Sequence, residues 1–263
     1  MELGPLHLTL LALVAFFASA INSIAGGGSL ITFPTLVALG VPPLHANATN
    51  SVALLSGIGG AAWSERSELA GQSGRVWWAV IPALTGGFFG AWLLITTGAA
   101  IFEKAVPWLV AAATALVYFG PRIKGRVHSY IAARTQAGSK SKSCYGLAVS
   151  SAAGSIYSGY FGAGQGLVFL ALLAFPLADS INRINALRQV ITLSAKAAAT
   201  GFFIFSGHIV WPAAIVMAAG SLTGGIAGGR FAAGVRPDIL RASVTALGTA
   251  IAAVFFSKQE GLF

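Results

Sequence analysis

The most informative feature of this sequence is how little charge it carries. Only 9% of its 263 residues are charged, whereas 56% are hydrophobic. A soluble domain of this size has close to a quarter of its residues charged, because it must cover its surface with groups that water solvates. The composition therefore excludes an ordinary soluble domain and predicts a protein whose main solvent is lipid.

Acidic residues and cysteine are scarcer still. The chain has only 7 Asp and Glu, and all lie at the ends of apolar segments or between them: Glu2, Glu65, Glu68, Glu103, Asp179, Asp238 and Glu260. The formal net charge is +9, but the basic residues separate apolar runs, so they indicate membrane topology and not a nucleic-acid partner. Cys144 is the single cysteine, which excludes an intrachain disulfide.

Long apolar runs fill most of the chain. They predict α-helices, because hydrocarbon cannot satisfy free backbone groups and the strands of a barrel would alternate polar and apolar residues. The first run contains Ala18-Ser19-Ala20, which resembles a signal-peptidase site. No Lys or Arg precedes it, so we expect this run to be retained. The predicted segments are residues 5–25, 29–40, 47–63, 75–97, 105–119, 144–161, 165–176, 184–206, 209–230 and 239–257.

The two sides of a basic central stretch resemble each other. Three signatures recur in the same order: GGGSL at 26–30 with GAGQGL at 162–167, ANATN at 46–50 with NRINA at 182–186, and LTGGFFG at 84–90 with LTGGIAG at 222–228. Chance similarity of glycine-rich apolar sequences is the alternative. We predict an all-α polytopic membrane protein with two homologous four-segment repeats, each a glycine-broken helix or hairpin plus three transmembrane helices. The predicted parts are a repeat at 1–119, a basic cytoplasmic linker at 120–143, a repeat at 144–257 and a tail at 258–263.

The positive-inside rule favours inverted repeats. If segments 29–40 and 165–176 turn back at the glycines, the linker cations and most other basic residues lie in the cytoplasm, and only Lys104 and Lys258 lie outside. Parallel repeats would move a further set outside: Arg183, Arg188, Arg230, Arg236 and Arg241. The first segment is long enough to cross alone, so the parallel arrangement stays open.

The glycine clusters are the first candidate site. Each interrupts an apolar helix, and interrupted helices present free N–H groups and a dipole end that attract negative charge. We predict that they line an anion site near the middle of the bilayer: Gly26, Gly27, Gly28, Gly162, Gly164 and Gly166. Close helix packing is the alternative use of glycine, and we favour it for the G-x-x-x-G pairs: Gly86 with Gly90, and Gly224 with Gly228.

Lys196 is the most informative single residue, because it lies in the middle of an apolar segment. A cation there costs about 2.5–3.5 kcal/mol on insertion scales, so it needs a partner or a wet cavity. Arg188 lies two turns earlier, on the same broad face. Since no acid falls inside a predicted span, we predict that a transported anion neutralises Lys196. The alternatives are hydrogen bonds to carbonyl groups or a lysine left neutral by desolvation.

Neutral donors accompany these candidates. Amide and hydroxyl side chains beside the interruptions suit the oxygens of a sulfonate or sulfite, although they also serve as interhelical hydrogen bonds or helix caps: Asn22, Thr49, Asn50, Gln165 and Asn185. We predict no catalytic residue, metal site or cofactor. The sequence Tyr157-Ser158-Gly159 would need a histidine at membrane depth to act as a serine protease, and the histidines lie at segment ends or in the linker.

These motifs resemble those of the sulfite exporter TauE/SafE family of membrane transporters. The likeness rests on residues 22–30 with Pro34, Gly40 and 46–50, and it recurs at 157–166 and 182–188. It implies export of sulfite, sulfoacetate or a related organosulfonate across a bacterial or archaeal plasma (inner) membrane. Export of an anion from a negative cytoplasm gains roughly 2.3 kcal/mol per charge per 100 mV, so it needs no buried carboxylate for coupling. A non-transporting scaffold or helper subunit is the alternative.

Overall fold

The computed structural model describes residues 4–24, 27–136, 144–231 and 237–259. Within these ranges the chain forms α-helices and one short 3-10 turn at Arg66–Leu69, and no strand. The helices are α1 (Pro5–Ile24), α2 (Ser29–Ala38), α3 (Pro43–Ser64), α4 (Ser73–Tyr118), α5 (Gly120–Gln136), α6 (Cys144–Tyr160), α7 (Gln165–Ala174), α8 (Ile181–Ser206), α9 (Trp211–Phe231) and α10 (Pro237–Gln259).

Several helices present apolar side chains outward, as a lipid-embedded protein requires. α1, α4 and α8 each contain a stretch long and apolar enough to cross a membrane. Large apolar side chains remain exposed on them, with Phe205 90% and Leu6 81% accessible. A soluble protein rarely leaves such surfaces uncovered. The chain is therefore a multi-pass membrane protein.

Two helices are too short to cross. α2 and α7 have 10 residues each, which at 1.5 Å per residue is about 15 Å, or half of the hydrocarbon thickness. Each follows one of the glycine clusters, where the sequence predicts a half-length return. The interruption therefore lies inside the protein in both halves, and the helix that follows it starts there.

Helix α4 consists of two helical arms that meet at a sharp bend at Gly98, whose φ of 76° and ψ of 168° are outside the helical region. Only glycine adopts such a conformation without strain. Gly90 lies against the backbone of Tyr160, and the ring of Phe102, beyond the bend, lies 5.9 Å from the Tyr160 ring. The two segments predicted at 75–97 and 105–119 are thus the two arms of this bent helix.

Small residues hold the halves against each other in reciprocal pairs. On α4, Gly86 lies against the carbonyl oxygen of Ala152 in α6, and a Cβ there would approach it to 2.6 Å. On α9, Gly224 lies in the same way against the carbonyl oxygen of Phe16 in α1, where a Cβ would collide with that oxygen. Such approaches are possible only without a side chain. These glycines therefore pack helices, while the packing of Gly228 lies outside the described side chains.

Helices α3 and α8 cross the centre of the protein in opposite directions. The ring of His45 near the start of α3 lies 5.0 Å from that of His208, just beyond the end of α8. Ser51, further along α3, contacts Lys196. Glu65, at the end of α3, accepts a hydrogen bond from Gln189 near the start of α8. The contacts move backwards along α8 as they move forwards along α3, so the two helices are antiparallel.

The basic linker contains a helix that the sequence analysis did not predict. In α5, Ile123, Val127 and Ile131 recur every fourth residue, which is the spacing of one helical face. Val127 and Ile131 are buried in a cluster that includes Leu170 and Leu173 of α7. Helix α5 therefore packs its apolar face on α7, the short helix of the second half. The sequence analysis did not detect this apolar spacing because the helix also carries many cations.

Candidate functional site

Lys196 lies at the centre of the molecule, in the middle of α8. Its side chain is only 2% exposed, and its ammonium donates a hydrogen bond to the Ser51 hydroxyl of α3 at 3.2 Å. Thr200, one turn further along α8, donates to the Ser51 carbonyl oxygen at 3.5 Å. Among the described residues no acidic side chain forms an ion pair with Lys196. The ammonium is thus held by neutral groups only.

The second glycine interruption lies directly beside this ammonium. A Cβ on Gly162 would lie 2.6 Å from Lys196 Nζ, 2.8 Å from the Ser158 carbonyl oxygen and 3.0 Å from Gln165 Oε1. Gly162 also has a φ of 74°, which L-residues rarely adopt. Both features require glycine at this position. The missing side chain leaves the ammonium and two oxygens facing the same small volume.

Hydrogen bonds order the chain around this interruption. The Ser158 hydroxyl donates to Gln165 Oε1 at 2.5 Å, and the Tyr157 hydroxyl donates to the Ala163 carbonyl oxygen. Asn47 of α3 donates through Nδ2 to the Tyr160 carbonyl oxygen at 2.9 Å. Its Oδ1 is buried and has no partner among the described groups. The end of α6 is therefore fixed to α3 and to the start of α7.

Two further glycines shape the start of α7. Gly164 precedes the helix with a φ of 70° and offers no side chain to cap it. Gly166 is buried in the first turn. Most of the first N–H groups of α7 already have acceptors, because the amides of Gln165, Leu167 and Val168 donate to the carbonyl oxygens of Gly162 and Gly164. The Gly166 amide has no such acceptor among the described residues.

The first interruption is built in a related way. Gly27 has a φ of 97°, and Gly28 begins α2 without a side-chain cap. Asn22 Oδ1 accepts a hydrogen bond from the Gly28 amide at 3.4 Å. The Thr32 hydroxyl approaches Asn50 Oδ1 to 2.5 Å. Asn22, Gly27, Gly28 and Asn50 are thus neighbours, while Gly26 lies outside the described residues.

The two interruptions are close to each other. A Cβ on Gly164 would contact Ala113 at 3.6 Å, and one on Gly27 would contact Val117 at 2.9 Å. Ala113 and Val117 are one turn apart on the second arm of α4, a rise of about 6 Å. The rings of Phe33 in α2 and Phe161 beside the second interruption are 5.4 Å apart. Both glycine interruptions therefore face the same central region.

Arg188 and Asn185 lie further towards the start of α8. Arg188 Nε donates to Asn185 Oδ1 at 3.0 Å, and the guanidinium interacts electrostatically with the Glu65 carboxylate at the end of α3. Burial raises the pKa of the Glu65 carboxyl above its ordinary value, although Arg188 and a hydrogen bond from Gln189 act in the opposite direction. Arg188 thus has an internal acidic neighbour, which Lys196 lacks among the described residues.

Arg183, the remaining cation of α8, is also paired. Its Nε lies 3.3 Å from Asp179 Oδ2, which Arg75 approaches to 2.5 Å. Burial would raise the pKa of the Asp179 carboxyl, but hydrogen bonds from Arg75 and the Ser180 amide, with the charge of Arg183, lower it overall. This cluster lines a cavity of about 350 Å³ near the starts of α4 and α8.

The Thr49 hydroxyl contacts the start of α9. Its hydroxyl oxygen accepts a hydrogen bond from the Val210 amide at 3.0 Å, immediately before α9. This contact fixes the start of α9 to α3. Thr49 therefore serves as a cap in this structure, which is one of the two alternatives that its residue type allowed.

Sequence reasoning missed three polar neighbours of the site. Ser51, Ser158 and Thr32 all contact predicted site residues. The motifs could have indicated Ser51 and Ser158, since Ser51 follows Asn50 directly and Ser158 lies within the 157–166 motif. A small hydroxyl in an apolar helix gives no signal of its own, because it also bonds its own helix.

The described residues contain no group of three or more His, Cys, Asp or Glu side chains that could hold a metal ion. The Ser158 hydroxyl is engaged with Gln165. The rings of His45 and His208 contact each other in a tilted arrangement, where α3 starts and α8 ends. The polar chemistry of the central region is that of one ammonium with neutral amide, hydroxyl and backbone groups.

Comparisons with known proteins agree on the kind of molecule. The sequence profile described as "Sulfite exporter TauE/SafE" matches residues 11–255. A "Probable membrane transporter protein" of Haemophilus influenzae is 31% identical over 229 residues, covering 85% of this chain and 84% of the relative. The "Probable membrane transporter protein YfcA" of Escherichia coli K12 is 26% identical, covering 98% of this chain and 93% of the relative.

A third relative, the "Probable membrane transporter protein ORF9" of a Sinorhizobium species, is 27% identical over 249 residues and covers 93% of this chain and 90% of its own length. No solved structure matches the chain.

Proposed function

This chain belongs to the sulfite exporter TauE/SafE family of membrane transporters, and from that membership we propose that it exports sulfite or a related organosulfonate across the plasma membrane. The observation that carries the proposal is the Lys196 ammonium, which is 2% exposed and held by neutral groups in the part of the chain that the structure describes. A buried cation without an acid is costly. An anionic substrate would supply the missing charge.

The glycine interruptions support the same site. Gly28 and Gly164 immediately precede the half-length helices α2 and α7, whose dipoles place partial positive charge at the two interruptions and so favour a negative solute there. Gly162 lies between the ammonium and Gln165. In this proposal the anion binds Lys196 Nζ, the Gly166 amide at the start of α7 and neutral donors from α3. We propose that Arg188 and Asn185, which bond to each other nearer the start of α8, lie on the path of the anion to this site.

An inverted relation of the two halves is part of the proposal. Gly87 of the LTGGFFG motif packs on the backbone of Ala195 in α8, and Gly225 of the LTGGIAG motif packs on the backbone of Gly57 in α3. This reciprocity pairs α3 with α8 as equivalent helices. Because α3 and α8 run antiparallel, equivalent helices of opposite direction support inverted halves related by an axis in the membrane plane.

Flux through the purified protein tests the transport proposal. Proteoliposomes loaded with labelled sulfite or methanesulfonate are expected to lose the anion several-fold faster than protein-free liposomes, and an inside-negative potential is expected to accelerate the loss because negative charge leaves. Efflux is measured as retained label after filtration. Folded protein that gives no efflux with any of these anions would support the helper-subunit alternative and contradict the proposal.

Thiol labelling tests the inverted arrangement. In a Cys144→Ser background, Asn182→Cys at the start of α8 distinguishes the two arrangements, and Ala100→Cys beyond the bend of α4 is the reference for the outside; both native side chains are exposed. We expect an impermeant maleimide to label Ala100→Cys in intact cells, and Asn182→Cys only after the membrane is opened. Permeabilised cells provide the control for reactivity. Labelling of Asn182→Cys in intact cells would contradict inverted halves, because parallel halves place the start of α8 outside.

A further inference from the structure

The charges on α3 and α8 determine which valence of anion the proposed site can hold. In the sequence α3 carries no Asp, Glu, Lys or Arg, while α8 carries Arg183, Arg188 and Lys196. Arg183 is paired with Asp179, and Arg188 interacts with Glu65. α6 and α7, which meet beside the ammonium at Gly162, carry no charged side chain. Of the charged residues of α4, Arg75 is paired with Asp179, and Glu103 and Lys104 are exposed. Within the described part of the chain, one positive charge remains uncompensated at the centre.

The equivalent position in the first half does not add a second cation. Gly87 packs on Ala195, and Gly225 packs on Gly57, so Ala195 and Gly57 occupy equivalent places. The residue after Ala195 is Lys196, and the residue after Gly57 is Ile58. Ile58 is buried and apolar. The two halves therefore build one cationic site between them and not a symmetric pair.

We propose that this site, if it transports anions as argued above, selects singly charged anions over doubly charged ones. A monoanion on Lys196 leaves the centre of the protein neutral. A dianion leaves an excess negative charge in a region of low dielectric constant, where neutral donors offset its desolvation only in part. The substrate class is thus hydrogen sulfite and monosulfonates, with sulfoacetate and sulfate disfavoured.

Comparison of the efflux rates of a monoanion and a dianion of similar chemistry tests the selectivity. Proteoliposomes at one neutral pH, with the membrane potential clamped to zero, are loaded with either labelled methanesulfonate or labelled sulfoacetate. We expect the initial rate with methanesulfonate to exceed that with sulfoacetate by about 10-fold or more, which corresponds to about 1.4 kcal/mol. Equal rates, or faster sulfoacetate, would overturn the selectivity while leaving transport intact. No flux of either anion would overturn both proposals.

Glu65→Gln provides an independent test of the charge balance. This variant removes the carboxylate beside Arg188 and leaves a second uncompensated cation near the proposed path of the anion. The ratio of the initial efflux rate of sulfoacetate to that of methanesulfonate is therefore expected to rise about 10-fold. Glu103→Gln makes the same change of net charge at an exposed position on the second arm of α4, and its ratio should equal that of the unmodified protein. A Glu65→Gln protein that transports with an unchanged ratio would show that the assigned balance is wrong.

Discussion

Replacing Lys196 by glutamine is expected to reduce anion efflux from proteoliposomes roughly 10- to 100-fold. A hydrogen bond between charged partners contributes about 1.5–3 kcal/mol, and each 1.4 kcal/mol is about tenfold in an equilibrium constant. Glutamine keeps a donor of similar reach but no charge, so the anion would enter a site without a counter-ion. Lys196→Arg keeps the charge and should retain part of the activity. Initial efflux rates at equal protein content measure the effect.

The melting temperature of Lys196→Gln is a second, independent measurement on the same variant. Because Lys196 is a buried cation without an acidic partner among the described residues, removing its charge should leave the melting temperature unchanged or raise it. A purely structural lysine would give the opposite sign. Lys104→Gln is the matched control, since Lys104 is exposed and its loss should change neither quantity. Normal efflux from Lys196→Gln would remove this residue from the site.

The parts of the fold that sequence predicted are those governed by local physics. The lengths of α2 and α7 follow from the apolar residues after each glycine cluster, and the depth of Lys196 follows from its place within α8. A cation in an apolar segment and a glycine interruption can each be recognised without knowing what packs against them. For the helix lengths the structure and the sequence analysis agree, and in the structure Lys196 is buried in the middle of α8.

The parts that sequence did not predict depend on contacts between distant segments. Ser51 is a site neighbour only because α3 and α8 are antiparallel in a register that brings it to Lys196. Glu65 compensates Arg188 for the same reason. That register is set by small residues, such as Gly87 against Ala195 and Gly225 against Gly57. A single sequence shows that such residues are small but not which backbone they meet.

Replacing Gly162 by alanine is the sharpest structural test of where the anion binds. The new Cβ would lie 2.6 Å from Lys196 Nζ and 2.8 Å from the Ser158 carbonyl oxygen. The lysine head is flexible and the backbone oxygen is not, so the ammonium is expected to move out of its place. Efflux should fall about 10-fold or more, because the displaced ammonium forfeits its contact with the anion.

Gly164→Ala is the matched control for this substitution. Gly162 and Gly164 have nearly the same φ, 74° and 70°, so alanine introduces a similar backbone strain of about 1–2 kcal/mol at either position. A Cβ on Gly164, however, meets only Ala113, at an ordinary 3.6 Å. Gly162→Ala should lose the more thermal stability of the two, because its Cβ also meets the Ser158 carbonyl oxygen. At equal amounts of folded protein, only Gly162→Ala should lose most of its efflux. Equal efflux from the two would mean that strain alone matters here and that the space beside the ammonium is not where the anion binds.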